Sequence, residues 1–114
     1  MEKELALLVI IVNNGFSDAA VNLTKELGAR GATILNGSGS VKPEAKKLYG
    51  LEINSEKEIL ILVVAKDLVD TLMPVIYEKL GSTSPAQGVA FSLPINYATS
   101  NLYAQFKKTE AEEK

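Results

Sequence analysis

Two segments of the chain are apolar at every position. They are Leu5–Val12 and Ile59–Ala65. Successive side chains of a strand point to opposite faces, so a strand with one solvated face alternates apolar and polar residues. An unbroken apolar run instead predicts a strand that is buried on both faces. Because one layer of helices covers only one face of a sheet, we expect a second copy of the chain to cover the other.

A helical pattern follows each apolar run. After the first run, one helical face is formed by Phe16, Ala20, Leu23 and Leu27. Their spacings of three and four are those of an amphipathic helix. Ser17 or Asp18 is the predicted N-cap, and Gly28 is suited to end the helix.

The second helix shows the same periodicity. Its apolar face is formed by Leu68 or Val69, then Leu72, Met73, Ile76 and Leu80, before Gly81. Pro74 lies within this pattern. Since proline lacks a backbone N–H, it should kink the helix or confine it to a start near Asp70.

Two shorter strands complete the pattern. The first is predicted over Ala32–Leu35 and left through Gly37–Ser40, and the last over Gly88–Ile95. Val89, Phe91 and Leu93 alternate with small or polar residues in the last strand, and Pro94 is tolerated only at an edge or a strand end. The intervening segment Val41–Glu56 has little apolar periodicity and is predicted to be a long loop, which we expect to be the most mobile internal segment.

The resulting order of elements, βαββαβ, is that of an α+β, ferredoxin-like sandwich in which an antiparallel sheet carries two helices on one face. The first and third strands are the central pair of that topology, and they are the two fully apolar runs. We expect residues 1–108 to form a single domain and the polar residues 109–114 to form a disordered tail.

Composition narrows the functional classes. The 114 residues carry a net charge of −2 and contain neither cysteine nor histidine. This composition excludes thiol catalysis, disulfides, Cys/His zinc sites and histidine bases. A weakly acidic chain also lacks the clustered basic face that binds nucleic acid.

The apolar N-terminal run is predicted to be a core strand. It follows the acidic segment Met1–Glu4 and ends at Asn13-Asn14-Gly15, without the cleavage pattern of a signal peptide. It is also much shorter than the roughly 20 residues that span a bilayer. We therefore expect no direct membrane insertion and a cytoplasmic location.

Several local sequences, taken together with the order of elements, resemble those of a known protein family. They are Gly28-Ala-Arg-Gly31-Ala-Thr-Ile-Leu-Asn-Gly37-Ser-Gly39, Lys57, and Gly88-Val-Ala-Phe-Ser-Leu-Pro94-Ile. With the order of elements, they resemble the P-II (PII-like) family of nitrogen regulatory, signal-transduction proteins. The resemblance implies a homotrimer that binds adenine nucleotides in clefts between subunits and signals to a transporter or metabolic enzyme through a long loop.

The resemblance also implies which residues form the cleft. Its predicted residues are Gly37, Ser38, Gly39, Ser40, Lys57, Gln87 and Gly88. Glycines permit a close backbone approach to a phosphate, and Lys57 supplies a positive charge. The loop residues predicted to contact the partner are Lys42, Lys46, Lys47 and Tyr49.

The chain departs from the family at basic positions. Ser40, Val89, Ser100 and Leu102 stand where nucleotide-binding members have arginine or lysine. Charge-assisted hydrogen bonds normally hold a triphosphate, so this chain is predicted to bind ATP weakly. No cofactor is assigned, and the ligand remains open among a weakly bound adenine nucleotide, a smaller anion and another metabolite.

The leading hypothesis is thus a non-enzymatic trimeric regulator that senses a small ligand and acts through the 41–56 loop. The alternative is a ligand-free trimeric interaction module that has lost nucleotide binding. A small enzyme using Glu52, Glu56 or Lys57 is a third hypothesis, although the sequence places no pair of acids in an evident site. No metal site or catalytic residue is predicted.

Overall fold

The computed structural model describes residues 4–39 and 56–99. Along the chain these residues form β1 (Leu5–Asn13), α1 (Ser17–Glu26), β2 (Thr33–Ser38), β3 (Glu56–Ala65), α2 (Lys66–Leu80) and β4 (Val89–Pro94). The described strands make one antiparallel sheet in the order β2-β3-β1-β4. The predicted βαββαβ ferredoxin-like fold is confirmed.

The two apolar runs form the centre of the sheet. β1 and β3 pair along their lengths, from Leu5 opposite Ala65 to Asn13 opposite Lys57. β2 and β4 are the edge strands, and Pro94 lies at the end of β4. Proline is tolerated there because an edge position at a strand end does not require its missing N–H.

Both helices cover the same face of the sheet. The buried apolar side chains of the central strands lie at even positions: Ala6, Leu8, Ile10, Val12, Leu60, Leu62 and Val64. They form one core with Ala20 of α1 and with Leu72, Ile76 and Leu80 of α2. Burial of these side chains is the main stabilising contribution to the fold.

The opposite face, which we call the open face, is apolar and is not covered by either helix of the described residues. It carries the odd positions Leu5, Leu7, Val9 and Ile11 of β1, Ile59, Ile61, Val63 and Ala65 of β3, and Leu35, Val89, Phe91 and Leu93 of the edge strands. The central residues are half-buried, whereas Val89 is 56% exposed. An apolar face of this extent is typical of an interaction surface.

The start of α2 corrects the prediction made from Pro74. The helix does not start near Asp70 but follows β3 directly at Lys66, and Pro74 lies inside it. Pro74 and Asp70, whose carbonyl lies one turn earlier, are on the exposed side of the helix. Water can therefore satisfy the carbonyl that proline leaves unpaired, while the buried leucine and isoleucine side chains hold the helix.

Two strand boundaries also differ from the prediction. β2 extends through Gly37 and Ser38, which pair with Lys57 and Glu56 of a longer β3. Gly37 is therefore inside a strand, and Lys57 lies within β3 instead of before it. The hydrogen-bonded ladder holds these polar residues in strands that their composition alone does not predict.

Candidate functional site

Three of the predicted cleft residues line one cavity. Gly37, Ser38 and Lys57 border an open cleft of about 470 Å³ at the end of β2 and β3. Its other lining residues are Asn14, Asn36 and Glu56. The cleft thus offers one ammonium, one carboxylate, amides and a hydroxyl, which together suit a small polar ligand.

Lys57 is connected to the turn before β4 by a buried amide. Its Nζ donates to Oδ1 of Asn13 at 2.6 Å. The Nδ2 of Asn13 donates to the carbonyl of Pro85 at 2.9 Å and to Oε1 of Gln87 at 3.1 Å. Asn13 itself is only 6% exposed. Gln87 is therefore brought to the same end of the sheet as Lys57, with Asn13 between them.

The Gly81–Gly88 turn is held by its own hydrogen bonds. The N–H of Ser84 donates to the carbonyl of Gly81, and the N–H of Gly88 donates to the carbonyl of Leu80 at 2.6 Å. A Cβ at Gly88 would collide with that same Leu80 oxygen. Gly88 is thus required for backbone packing, and it borders a separate cavity of about 270 Å³ between α2 and β4.

The remaining predicted residues fall in two groups. Gly39 lies just beyond β2 and is not among the residues that line the cleft. Ser40 and the predicted partner-binding residues Lys42, Lys46, Lys47 and Tyr49 lie outside the described residues. The tail at 109–114 lies outside them as well.

Sequence reasoning missed Asn13 as a site residue. Its position contained a signal, because it is the first polar residue after an unbroken apolar strand. A polar side chain there must find partners as the strand leaves the core, and Asn13 finds three.

Glu58 was also missed, and it replaces the predicted cap of α1. The helix has Phe16 at its N-cap position without a side-chain cap, so the prediction of Ser17 or Asp18 as the cap is wrong. Instead, the carboxylate of Glu58 in β3 accepts the N–H of Gly15 at 2.7 Å, the N–H of Ser17 at 3.2 Å and the hydroxyl of Ser17 at 2.9 Å.

These hydrogen bonds favour the ionised carboxylate. The N–H of Gly15 is the main cause that lowers the pKa of Glu58, burial opposes it, and the hydroxyl and N–H of Ser17 add to the lowering. The negative charge also lies at the positive end of the α1 dipole. The Glu58 carboxylate therefore occupies this helix N-terminus, so a ligand anion does not find it free.

A second groove, of about 580 Å³, lies at the other end of β1 and β4. Its lining includes Glu4, Lys66, Asp67 and Asp70. Lys66 and Glu4 form an exposed ion pair at 3.0 Å, which contributes little to stability. Of the predicted site residues that the structure describes, none lines this groove.

The described residues also bear on metal binding and on membrane insertion. Within residues 4–39 and 56–99, no three His, Cys, Asp or Glu side chains are grouped so that they could hold a metal ion. Neither of the helices in those ranges has the length and apolarity required to cross a membrane.

Comparison with solved structures identifies the fold. The chain resembles CPII, a nitrogen regulatory PII-like protein of Thiomonas intermedia K12 solved with ADP, AMP and bicarbonate, at 22% identity and a TM-score of 0.61 over 86% of this chain and 97% of that one. The match to the GlnK–ATP complex of B. subtilis has 19% identity and a TM-score of 0.60, covering 82% and 85% of the two chains. For Arabidopsis thaliana PII bound to citrate, identity is 21%, the TM-score is 0.61, and 82% and 77% are covered.

The fold is therefore that of the PII-like proteins, as the resemblance implied. No protein-family profile and no curated protein matches the sequence. At identities near 20%, the structural likeness speaks for the fold, and the function must be argued from the residues of this chain.

Proposed function

We propose that the chain is a PII-like signal-transduction regulator and not an enzyme. It acts as a cytoplasmic homotrimer that senses a small anionic ligand in clefts between subunits. The 41–56 segment then transmits the state of the cleft to a membrane transporter or a metabolic enzyme. Gly37, Ser38 and Lys57 form the ligand-facing wall of each cleft, with Gln87 beside it.

The observation that carries the proposal is the position of Lys57. It pairs with Gly37 in the sheet, shares the open face with Gly37, and borders a polar cleft at the end of β2 and β3. A second copy that covered the open face would approach the cleft from the side of Gly37 and Lys57. The ligand would then lie between subunits and near the ends of β2 and β3, from which the 41–56 segment departs.

The charge of the cleft supports a small ligand. Among the described residues, Lys57 is the cationic lining residue of the cleft and Glu56 the anionic one. Val89 and Leu102 have no polar side-chain donor, and Ser40 and Ser100 have only a neutral hydroxyl where arginine or lysine would bring a positive charge. Each hydrogen bond lost between a charged side chain and phosphate is worth about 1.5–3 kcal/mol of triphosphate binding. Since about 1.4 kcal/mol is a tenfold change in affinity, ATP binding should be weaker by several orders of magnitude than in a relative that keeps those basic residues.

The solved relatives also contain smaller anions. Bicarbonate is bound in the CPII structure and citrate in the Arabidopsis PII structure. These ligands show that carboxylate-containing or carbonate anions bind to proteins of this fold. In this chain, Lys57 is the one lysine among the described lining residues, and a small anion of that kind matches it better than a nucleotide triphosphate does.

Isothermal titration calorimetry tests the proposal. We expect neither ATP nor ADP to bind in the low-micromolar range, with or without magnesium, and we expect bicarbonate or citrate to bind. Lys57→Met should abolish that binding. Lys66→Met is the matched control, because Lys66 is an exposed lysine just beyond the other end of β3 and should leave the affinity unchanged.

A ligand-free interaction module is the second candidate function. It is favoured by Val89, which continues the apolar open face where nucleotide-binding relatives carry a lysine. A trimer that binds neither nucleotides nor small anions would support this alternative. Tight ATP binding that depends on Lys57 would instead contradict our ligand assignment and restore a nucleotide sensor.

A further inference from the structure

Asn13 joins Lys57, which lines the candidate cleft, to the Gly81–Gly88 turn, which is far from Lys57 in sequence. On one side, its Oδ1 accepts the Lys57 ammonium at 2.6 Å. On the other, its Nδ2 reaches the Pro85 carbonyl and the Gln87 side chain, and its backbone N–H donates to the carbonyl of Ala86 at 2.9 Å. One residue therefore contacts both the lysine and three consecutive residues of the turn.

Burial makes these hydrogen bonds interdependent. Asn13 is only 6% exposed, and none of the buried side-chain polar atoms among the described residues lacks a partner. A buried amide that loses a partner incurs the cost of an unsatisfied polar group. The orientation that presents Oδ1 to Lys57 is the same one that directs Nδ2 toward the turn, because both atoms belong to one planar amide.

The turn offers a backbone that this amide can control. Gln87 has a φ of 46°, in the left-handed region that residues other than glycine seldom adopt. Such a conformation persists only where surrounding interactions hold it. The hydrogen bond from Asn13 to the Gln87 side chain is one such interaction.

We propose that Asn13 is a positioning residue that couples Lys57 to the Gly81–Gly88 turn. The Lys57 ammonium fixes the amide, and the amide fixes the turn. Lysine has three N–H donors, so Lys57 can hold Asn13 with one and a ligand anion with the others. An anion at Lys57 would thus be sensed at the turn through Asn13. The coupling is a property of the free protein, whereas its use in sensing rests on the proposed function.

A double-mutant cycle in the ligand-free protein tests the coupling. Its readout is the hydrogen-exchange rate of the Gln87 and Gly88 amides, which donate to Ser84 and Leu80. Lys57→Met should accelerate exchange at both amides by about 3- to 10-fold, the effect of removing one hydrogen bond. In an Asn13→Leu background, the same lysine substitution should change exchange less than about twofold.

The outcomes separate coupling from a merely structural role. If Asn13 only anchors the turn, Lys57→Met will leave the Gln87 and Gly88 amides unchanged, which overturns the proposal. An equal effect of Lys57→Met in both backgrounds overturns it too. Lys66→Met should leave both rates at their wild-type values. If Asn13→Leu fails to fold, Lys57→Met alone still tests the coupling. It removes the hydrogen bond to Oδ1 of Asn13 and leaves the groups that bond Nδ2 at the turn in place.

Citrate titration provides the second arm. In the wild-type protein, saturating citrate should slow exchange at Gln87 and Gly88, and Asn13→Leu should abolish that response while citrate still binds at Lys57. Failure of citrate to bind would count against the proposed function, while the ligand-free cycle would still decide the coupling. Citrate binding with no change at the turn in wild-type protein would overturn transmission through Asn13.

Discussion

Replacing Glu58 with glutamine should destabilise the protein through α1. The carboxylate links β3 to the first turn of the helix through the N–H of Gly15 and both polar groups of Ser17. Loss of a side-chain acceptor at a helix N-terminus costs about 0.5–2 kcal/mol, and loss of the favourable charge adds about 0.3–1 kcal/mol. Glu58 is half-buried, so solvent screening places the charge contribution at the lower end.

Glutamine retains one oxygen, so the expected loss for Glu58→Gln is about 1 kcal/mol of unfolding free energy. Glu58→Ala removes both acceptors and leaves the nearly buried Ser17 hydroxyl unpaired, so we expect about 2 kcal/mol. Urea titrations at a fixed protein concentration measure both values, because unfolding of an oligomer depends on concentration. Glu78→Gln, an exposed change on α2, is the control and should cost much less.

The effect should also depend on pH. The pKa of Glu58 is lowered from 4.5 by folding, so the folded protein binds the proton less readily than the unfolded chain does. The stabilisation is therefore complete above pH 4.5 and is lost as the pH falls through the lower, folded-state pKa. The stability gap between wild type and Glu58→Gln should narrow over that acidic range. An equal gap at all pH values, or one no larger than that of Glu78→Gln, would refute this account of the helix start.

Two further substitutions test the open face and the turn. We expect size exclusion with light scattering to find a trimer for the wild-type protein. Ile61→Asp places a charge at the centre of the open face and should dissociate or aggregate that assembly. A wild-type monomer at micromolar concentration would contradict the proposed assembly. Gly88→Ala should cost about 1–3 kcal/mol in urea unfolding, because its Cβ meets the Leu80 carbonyl. Gly31→Ala, which meets no atom within 4 Å, is its control, and equal losses would show that the close approach at Gly88 is unimportant.

The fold could be predicted from the sequence because its strongest patterns determine how distant segments pack together. Two unbroken apolar runs predict the central pair of strands, and the periodic segments after them predict the helices. The error at Pro74 arose because proline was judged by its local propensity. Leu72 and Ile76, on either side of it, are buried, and their packing outweighs one missing hydrogen bond.

The candidate site was only partly predictable for a different reason. The family resemblance predicted Gly37 and Lys57 as two separate site residues. Strand pairing places them directly opposite each other. The roles of Asn13 and Glu58 depend on strand register, which puts Lys57 beside Asn13 and Glu58 beside Val12, close to the start of α1. A shift of one residue would move Glu58 to the open face, so no local pattern could assign its function.

Strand alternation finally connects the cleft with the assembly. Asn13, Lys57 and Gly37 lie at odd positions, on the same face as Ile11 and Ile59. Of the residues that line the polar cleft, Gly37 and Lys57 therefore share the open face, whereas Asn36, Ser38 and Glu56 alternate to the helix-covered face. A partner that buried this face as far as Lys57 would change the solvation of the ammonium there. Assembly and ligand binding are for that reason expected to depend on each other, so the affinity of Lys57 for an anion should be measured at protein concentrations where the oligomeric state is known.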